Sequence, residues 1–199
     1  MLGNISRIMI GLSLSLGLSG CGLQSIPQAK NKVDAALAET TNQYKRRADL
    51  IPNLVAVVKG YASHEQETLT AVVEARAKAT QTTINPGSMD PQKLQEYMNS
   101  QGNLSQALGR LMVVAEKYPD LKADASFRDL SAQLEGTENR TTVARQRYIE
   151  SINAFNDLIT VPPTSFTNSL IYHHEKMPQW SVSEQEKQQI ETAPKVEFK

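Results

Sequence analysis

The chain has 199 residues, of which 40% are hydrophobic, enough to supply the core of one domain of ordinary size. Its 21 basic and 21 acidic residues cancel. It therefore lacks the global field that draws proteins to nucleic acid or to an anionic membrane surface. The hydrophobic content excludes a wholly disordered chain, and the balanced charge gives no support for a nucleic-acid partner. Any membrane contact must therefore come from a local feature.

That local feature stands near the start, where Arg7 precedes a charge-free run over residues 8–18. Eleven helical residues span about 16 Å, well short of the roughly 30 Å hydrocarbon core of a bilayer. The run is therefore typical of the apolar region of a signal peptide rather than of a transmembrane helix. The motif Leu18-Ser19-Gly20-Cys21 comes next and resembles the lipobox of bacterial lipoproteins. By that resemblance, residues 1–20 are a cleaved signal peptide, and Cys21 becomes the N-terminus. Its attached lipid is then expected to include palmitate.

Cys21 is the only cysteine, so no internal disulfide can form. The alternative is an incidental free thiol behind a retained apolar segment, but the basic residue, apolar run and small residues together favour lipidation. Each acyl CH₂ buried in lipid contributes about 0.8 kcal/mol. Residues 21–27 are then a tether of at most about 25 Å. An Asp directly after Cys21 would resemble the inner-membrane retention signal of enteric bacteria, but this chain has Gly22 there. We therefore expect the protein on the periplasmic side of the outer membrane if the source has two membranes.

Two segments with helical periodicity open the mature part, and no alternating β-branched run is long enough for a strand. The first spans about residues 28–51, and Pro52 is expected to end or kink it because proline lacks an N–H. The second spans about residues 52–81 and is followed by a loop over 82–88. The positions sharing one face are Val33, Ala36, Leu37, Thr40, Tyr44, Ala48 and Ile51, then Leu54, Val57, Val58, Tyr61, Leu69, Val72, Val73 and Arg76.

Two further segments show a nearly unbroken heptad pattern. The third begins with Asp90 as N-cap and Pro91 as first helical residue. The fourth opens near Asp124 or Ser126, the latter resembling a capping box with Asp129, and ends before the prolines at 162 and 163. The positions that share the predicted buried face are Leu94, Tyr97, Gln101, Leu104, Leu108, Leu111, Ala115 and Tyr118, then Phe127, Leu130, Leu134, Thr137, Thr141, Ala144, Tyr148, Ile152, Phe155 and Ile159.

Four long amphipathic helices with short connections predict an all-α fold, an up-and-down four-helix bundle with coiled-coil-like packing over residues 28–161. Residues 162–199 are predicted to form an irregular tail that docks on the bundle. The aromatic and aliphatic residues available for docking are Phe166, Tyr172, Trp180, Val196 and Phe198.

Six blocks of the sequence stand out in order along the chain: residues 44–55, 58–65, 74–77, 115–123, 134–140 with 144–145, and 193–198. Together they resemble the LemA family. The chain departs from the family in its last helix, where Tyr148-Ile149 stands in place of the first of two Tyr-Asn pairs and Phe155-Asn156 in place of the second. The resemblance implies a membrane-associated helical bundle, and it brings no catalytic residue and no cofactor.

Charged residues within these blocks are the candidate site. A docking surface is predicted at one bundle end, because with alternating helix directions the two motifs that supply it fall at the same end. Its residues are Arg46, Arg47, Asp49, Pro52 and Asn53 from one motif, and Tyr118, Pro119 and Asp120 from the other. The more conservative interpretation is that charged residues form interhelical ion pairs fixing register, namely Arg76, Glu116, Glu138, Arg140 and Arg145.

Catalytic patterns are weak. His64-Glu65 lacks the second histidine four residues later that a zinc protease pair needs, and His173-His174-Glu175 would need ligands from elsewhere. No nucleophile motif or phosphate-binding glycine loop is present. We therefore expect no metal, no cofactor and a non-enzymatic scaffold or adaptor that binds envelope proteins. The alternative is an uncharacterised metal-dependent or enzymatic activity at the bundle end, using His64 and nearby carboxylates.

Overall fold

A computed structural model describes residues 2–81, 84 and 90–178, and for residues 2–22 it describes the backbone alone. Every regular element in this part of the chain is helical, which confirms the all-α prediction. The elements are α1 (Leu2–Tyr61), α2 (Gln66–Gln81), α3 (Pro91–Ala115), α4 (Pro119–Ala123), α5 (Ala125–Thr160), α6 (Thr164–Thr167) and a π-helical turn (Asn168–Tyr172).

The described chain divides into two units. The central unit contains residues 41–81, 84 and 90–143, and the terminal unit contains residues 2–40 and 144–178. The boundary between them falls within both α1 and α5.

Helix α1 runs unbroken through Pro52 to Tyr61, and the next helix begins only at Gln66. Of the two outcomes expected at Pro52, an end or a kink, the end is wrong, and so is a separate helix that starts at Pro52. Pro52 has no N–H for the carbonyl of Ala48, four residues earlier. The Nε–H of Arg76 donates to that carbonyl at 2.8 Å and replaces the missing bond. A side chain from the neighbouring helix thus satisfies the carbonyl that the proline leaves unpaired.

A second proline, Pro27, also lies inside α1. It leaves the carbonyl of Leu23 without its helical donor, and the hydroxyl of Tyr172 donates to that oxygen at 2.8 Å. Ile26 beside it is fully buried. Residues 23–27 are therefore part of a packed helix, and the prediction that they belong to a tether, with the first helix starting near residue 28, is wrong.

The starts of α3 and α5 result from local capping. Asp90 has an extended backbone, its side chain accepts the N–H of Gln92 at 2.9 Å, and Pro91 comes next, which confirms the predicted start of α3. At α5 the Asp124 carboxylate accepts the N–H of Phe127 at 2.9 Å. Of the two predicted starts, Asp124 is right and the capping box at Ser126 is wrong, because Ser126 already lies inside the helix.

The predicted apolar positions form most of the core of each unit. In α3 all of them are buried except Tyr118, which lies just beyond the helix and is half-buried, and in α5 all are buried except the partly buried Leu130. Tyr61 and Val73 are exceptions, since about half of each is exposed. The main cluster of the central unit contains Ile51, Leu54, Val58, Ala62, Leu69, Val72, Ala79, Leu104, Ala107, Leu108, Leu111, Ala115, Leu121, Phe127 and Leu134.

Contacts in the central unit show which helices run in opposite directions. Tyr61 at the end of α1 donates to Asp124 before α5 at 3.0 Å. Fourteen residues earlier in α1, Arg47 contacts Glu138, which lies fourteen residues beyond Asp124. Equal steps in opposite directions show that these parts of α1 and α5 are antiparallel. Helices α2 and α3 are antiparallel by the same reasoning, because Ala79 contacts Gln101 and the residue before α2, Glu65, contacts Tyr118.

In the terminal unit, the prediction of an irregular tail from residue 162 is wrong for the segment that α6 and the π-helical turn occupy. Two asparagines hold the chain beyond this turn in place. Asn168 exchanges hydrogen bonds with the backbone of His174, both at 3.0 Å. Asn156 of α5 does the same with Met177, at 3.0 and 2.9 Å. Asn156, at the second of the two expected Tyr-Asn positions, thus makes a polar contact.

The aromatic residues predicted to dock behave differently from one another. Tyr172 stacks on the ring of His174 with 5.7 Å between centroids, and His174 lies 5.6 Å from the ring of Phe155. Phe166, although available for docking, is 65% exposed and does not dock. Trp180, Val196 and Phe198 lie outside the described residues.

Candidate functional site

The candidate site is built around Arg47, a cation that the fold buries. Arg47 lies on the inward face of α1 between Tyr44 and Ile51 and is 2% exposed. Its Nη1 donates to Ser105 Oγ at 2.7 Å and to Glu138 Oε2 at 2.9 Å. Its Nη2 donates to the side chain of Gln101 at 2.8 Å and to the carbonyl of Gln101 at 3.2 Å. Burying a guanidinium is costly unless it is paired and hydrogen-bonded, and these contacts meet both conditions.

Aromatic rings complete the surroundings of this cation. The guanidinium carbon lies 5.0 Å from the ring centre of Tyr44, within the range of a cation–π contact. Tyr44 meets Tyr97 edge to face at 5.7 Å. Burial raises the pKa of Tyr97 to about 12, so its phenol stays neutral at physiological pH. The guanidinium is thereby fixed in one orientation by contacts from α1, α3 and α5.

A groove of about 450 Å³ opens beside Arg47, and we call it the Arg47 groove. Apolar side chains contribute most of its wall, and its rim carries the carboxylates of Glu135 and Glu138. The buried Nε of Arg47 and the buried hydroxyl of Ser131 have no hydrogen-bond partner among the described residues. The lining residues are Arg47, Ser105, Leu108, Gly109, Met112, Ser131, Leu134, Glu135 and Glu138.

The predicted docking residues of the first motif lie along α1 and not at a helix end. Arg46, Pro52 and Asn53 are exposed. Asp49 lines a second groove of about 370 Å³ together with Lys45, Tyr97 and Gln101 among others. The expectation that this motif stands at the end of its helix is wrong because α1 continues to Tyr61.

The second motif lies at the other end of the central unit. The Tyr118 hydroxyl donates to Glu65 at 3.2 Å, and partial burial together with that carboxylate raises the pKa of Tyr118. Pro119 and Asp120 are exposed in α4. Arg47 contacts Gln101 within α3, whereas Tyr118 lies beyond the end of α3 and contacts Glu65, which lies beyond the end of α1. The prediction that both motifs share one end is therefore wrong, and a binding role for their residues stays a prediction.

The residues predicted to form interhelical ion pairs have diverse contacts in the described chain. Glu138 pairs with Arg47 of α1. Glu116, which caps the end of α3, pairs with Lys122 of α4. For two others the prediction is wrong: Arg76 donates to a backbone carbonyl, and Arg140 donates to Thr137 of its own helix at 3.2 Å. Arg145 is half-buried in α5.

The histidines and carboxylates do not gather into a metal site in the part of the chain that the structure describes. Within those residues, no three His, Cys, Asp or Glu side chains come together in a way that could hold a metal ion. His64 is exposed in the turn between α1 and α2. Over the same part of the chain, none of the helices combines the length and apolar character that crossing a bilayer requires. The enzymatic alternative stays a prediction.

Comparison with known proteins adds the family. The model of the LemA family matches residues 36–198, most of the chain. The chain belongs to the LemA family. Two similar proteins are the magnetosome proteins MamQ 1 and MamQ 2 of Paramagnetospirillum magneticum, each 26% identical over 61% of this chain and 51% of its own length. Protein LemA of Metamycoplasma hominis is 25% identical over 65% of this chain and 56% of its own length. The chain thus spans about half the length of these relatives.

The sequence of this LemA-family protein predicts only part of the site formed by Arg47 and its partners Ser105, Glu138 and Gln101. Three consecutive cations, Lys45, Arg46 and Arg47, suit a helix C-terminus, but that interpretation fails because the helix continues. Of the three, Arg47 alone falls on the helical face shared by Tyr44 and Ile51, three residues after one and four before the other. That spacing is the feature of the sequence that predicts burial of Arg47. Gln101 falls on the predicted buried face of α3, but nothing in the sequence connects it to Arg47.

Proposed function

We propose that this LemA protein is a lipid-anchored, non-catalytic adaptor of the bacterial cell envelope, and that it binds a partner protein in the Arg47 groove. The antiparallel contacts of the central unit support an up-and-down arrangement of its four long helical segments. The lipobox-like motif at Cys21 supports the anchor. The observation that carries the binding role is the groove itself, an apolar wall with carboxylates at its rim.

The groove favours a helical ligand. Its wall comes from α3 and α5, with Leu108 and Met112 one turn apart on α3 and Leu134 on α5. An amphipathic helix places anchors at three- and four-residue spacing and fits such a groove by burying its apolar face. Methionine suits this role because its flexible thioether adapts to different shapes.

Charge selects among such helices. Arg47 is already paired with Glu138 and packed against Tyr44, so it offers little attraction to an anionic ligand. Glu135 is exposed and the side chain of Glu138 is half-exposed. Together these three groups give the rim one net negative charge. We therefore propose a partner helix that carries a lysine or arginine beside its apolar face.

Gly109 offers a sharp test, because it lines the groove and a Cβ built on it meets nothing within 4 Å. Gly102, one heptad earlier on α3, is equally unobstructed and lies outside the groove lining. A photoreactive amino acid at position 109 should crosslink one protein in cells, and the same residue at 102 should not. The crosslinked peptide should be a basic amphipathic helix.

The same glycines give a competition test. Gly109→Phe should fill the groove and abolish recovery of that partner, whereas Gly102→Phe should leave recovery intact. Both variants should keep the helical circular dichroism of the unmodified protein. Equal crosslinking at 109 and 102, or a partner that Gly109→Phe still binds, would refute the groove as the binding site.

The anchor is tested separately. Metabolic labelling with a fatty-acid analogue should modify the chain, and Cys21→Ser should abolish labelling and release the protein from the membrane fraction. A labelled Cys21→Ser chain would show that lipid is attached elsewhere. An unlabelled wild type that stays in the membrane fraction would refute lipid on Cys21 as the anchor.

A further inference from the structure

The segment after α5 turns its apolar side chains outward and its polar side chain inward. Asn168 is buried and bonded to His174, whereas four apolar neighbours are largely exposed. Leu170 is 78% exposed, Phe166 65%, Ile171 54% and Val161 53%. We call these four residues the apolar patch. Helical residues in a protein surrounded by water normally have the opposite arrangement.

The contacts of this segment explain how the patch is held outward. The hydrogen bonds of Asn168 with His174 and the stacking of Tyr172 on His174 fix the inner side of α6 and the π-helical turn. Phe166 and Leu170 lie four residues apart and so share the opposite face. The exposure of the patch is therefore a consequence of specific bonds.

Two observations indicate what covers the patch. First, the Tyr172 hydroxyl bonds to the carbonyl of Leu23, which lies two residues after Cys21 and five after the end of the apolar run. Five helical residues span about 7.5 Å. Second, residues 158–172 contain no charged side chain, and the polar ones are small hydroxyl, amide and phenol groups. A charged side chain is costly to bring into lipid, and this segment has none of its own.

We propose that the apolar patch inserts into the interfacial region of a lipid bilayer, next to the N-terminal anchor. Apolar side chains presented by a short helical element beside an anchor add membrane affinity by burying area at the boundary of headgroups and acyl chains. The inference rests on the proposed function only in taking the N-terminal segment as the anchor. It adds a second contact, made by side chains, that fixes the orientation of the terminal unit on the membrane.

Environment-sensitive fluorescence tests the proposal in the full chain. In the lipidated chain, whose Cys21 sulfur carries lipid and does not react with a thiol label, one new cysteine is introduced at Leu170 or, as a control, at Val113 of the central unit, which is 67% exposed. Each is labelled with the same fluorophore and mixed with vesicles of phosphatidylcholine and phosphatidylglycerol. The label at 170 should shift to the blue and be quenched by nitroxide lipid, and the label at 113 should do neither. If the chain floats with vesicles but both labels remain equally open to aqueous iodide, the patch proposal is overturned and the anchor is unaffected.

Removing the patch gives a second readout. The pair Phe166→Ser and Leu170→Ser should lower vesicle partitioning by about tenfold or more, since two apolar side chains lose their lipid contact. Val113→Ser should change it little. A concentration-dependent dimer without lipid that the serine pair abolishes would overturn the proposal in favour of a second copy of the chain. Unchanged partitioning of the serine pair, with helical content intact, would overturn it outright.

Discussion

The two units each contain one proline inside α1, and each supplies a side chain to the carbonyl that the proline leaves unpaired. In the central unit the donor is the Nε–H of half-buried Arg76, on the carbonyl of Ala48. In the terminal unit it is the hydroxyl of Tyr172, in an exposed contact with the carbonyl of Leu23. In both units a side chain donates a hydrogen bond to the carbonyl, but the bond is partly buried in the central unit and exposed in the terminal unit.

That difference extends to the rest of each unit. The central unit buries a cation and satisfies it with Ser105, Glu138 and Gln101. The terminal unit keeps its apolar patch outside. A polar group that loses its partner in a buried place suffers the full desolvation penalty, whereas an exposed one is rescued by water. Contacts in the central unit should therefore govern folding stability, and those in the terminal unit should govern the surface that the protein presents.

The largest effect is expected at Arg47. Arg47→Met should lower the free energy of unfolding by roughly 3 kcal/mol, because the buried Gln101 side chain loses its donor and the half-exposed Glu138 carboxylate loses its counterion. Arg46→Met changes the adjacent, exposed cation and should stay within about 0.5 kcal/mol of wild type. Urea denaturation measures both. Equal stability of the two variants would show that burial of Arg47 contributes nothing.

The second largest effect on the free energy of unfolding is expected for the hydrogen bond from Arg76 to the carbonyl of Ala48, which Pro52 leaves unpaired. A double-mutant cycle isolates its contribution. Arg76→Ala should cost about 1–2 kcal/mol in the wild type, since the carbonyl of Ala48 loses its donor. In a Pro52→Ala background the new backbone N–H serves that carbonyl, so the same change should cost about 1 kcal/mol less. An identical cost in both backgrounds would mean that Arg76 acts through packing and not through the carbonyl.

These two residues also show how far the sequence alone could go. Periodicity located the buried faces of α3 and α5 because apolar spacing is a local property of a helix. It left open whether Pro52 ends or kinks the helix, because a proline removes one helical hydrogen bond. The bond that preserves the helix comes from Arg76, and no local pattern reveals which distant donor will reach a given carbonyl. Boundaries that depend on tertiary contacts therefore escaped prediction.

The candidate site was predicted less completely for the same reason. Arg47 and Glu138 were both singled out, one as a docking residue and one as an ion-pair partner, yet their contact joins residues 91 positions apart. The apolar patch was missed because Phe166 was expected to dock. The inward turn of Asn168 depends on the backbone of His174, which the sequence does not display.

The hydrogen bond from Tyr172 to the carbonyl of Leu23, which Pro27 leaves unpaired, tests the comparison in the terminal unit. Tyr172→Phe should cost under about 1 kcal/mol, because water can replace the hydroxyl at an exposed carbonyl. Pro27→Ala should reduce even that cost. Hydrogen exchange of amides near Leu23 is the appropriate measurement, since local opening is more sensitive than global unfolding. A cost as large as that of Arg76→Ala would contradict the argument from burial.

The smallest effect is expected at Asp124, a carboxylate near the surface whose contribution depends on pH. The N–H of Phe127 and the hydroxyl of Tyr61 donate to it and hold its pKa below its ordinary value of 3.8. The folded pKa is depressed, so its stabilisation is fully present above the unfolded pKa and is lost as pH falls through the folded value. Asp124→Asn should therefore melt a few degrees below wild type at neutral pH, and the difference should shrink below about pH 4. Asp129→Asn, exposed on the same helix, should melt within about a degree of wild type at neutral pH. A difference between Asp124→Asn and wild type that persists unchanged down to about pH 2 would mean that shape, and not charge, accounts for the role of Asp124.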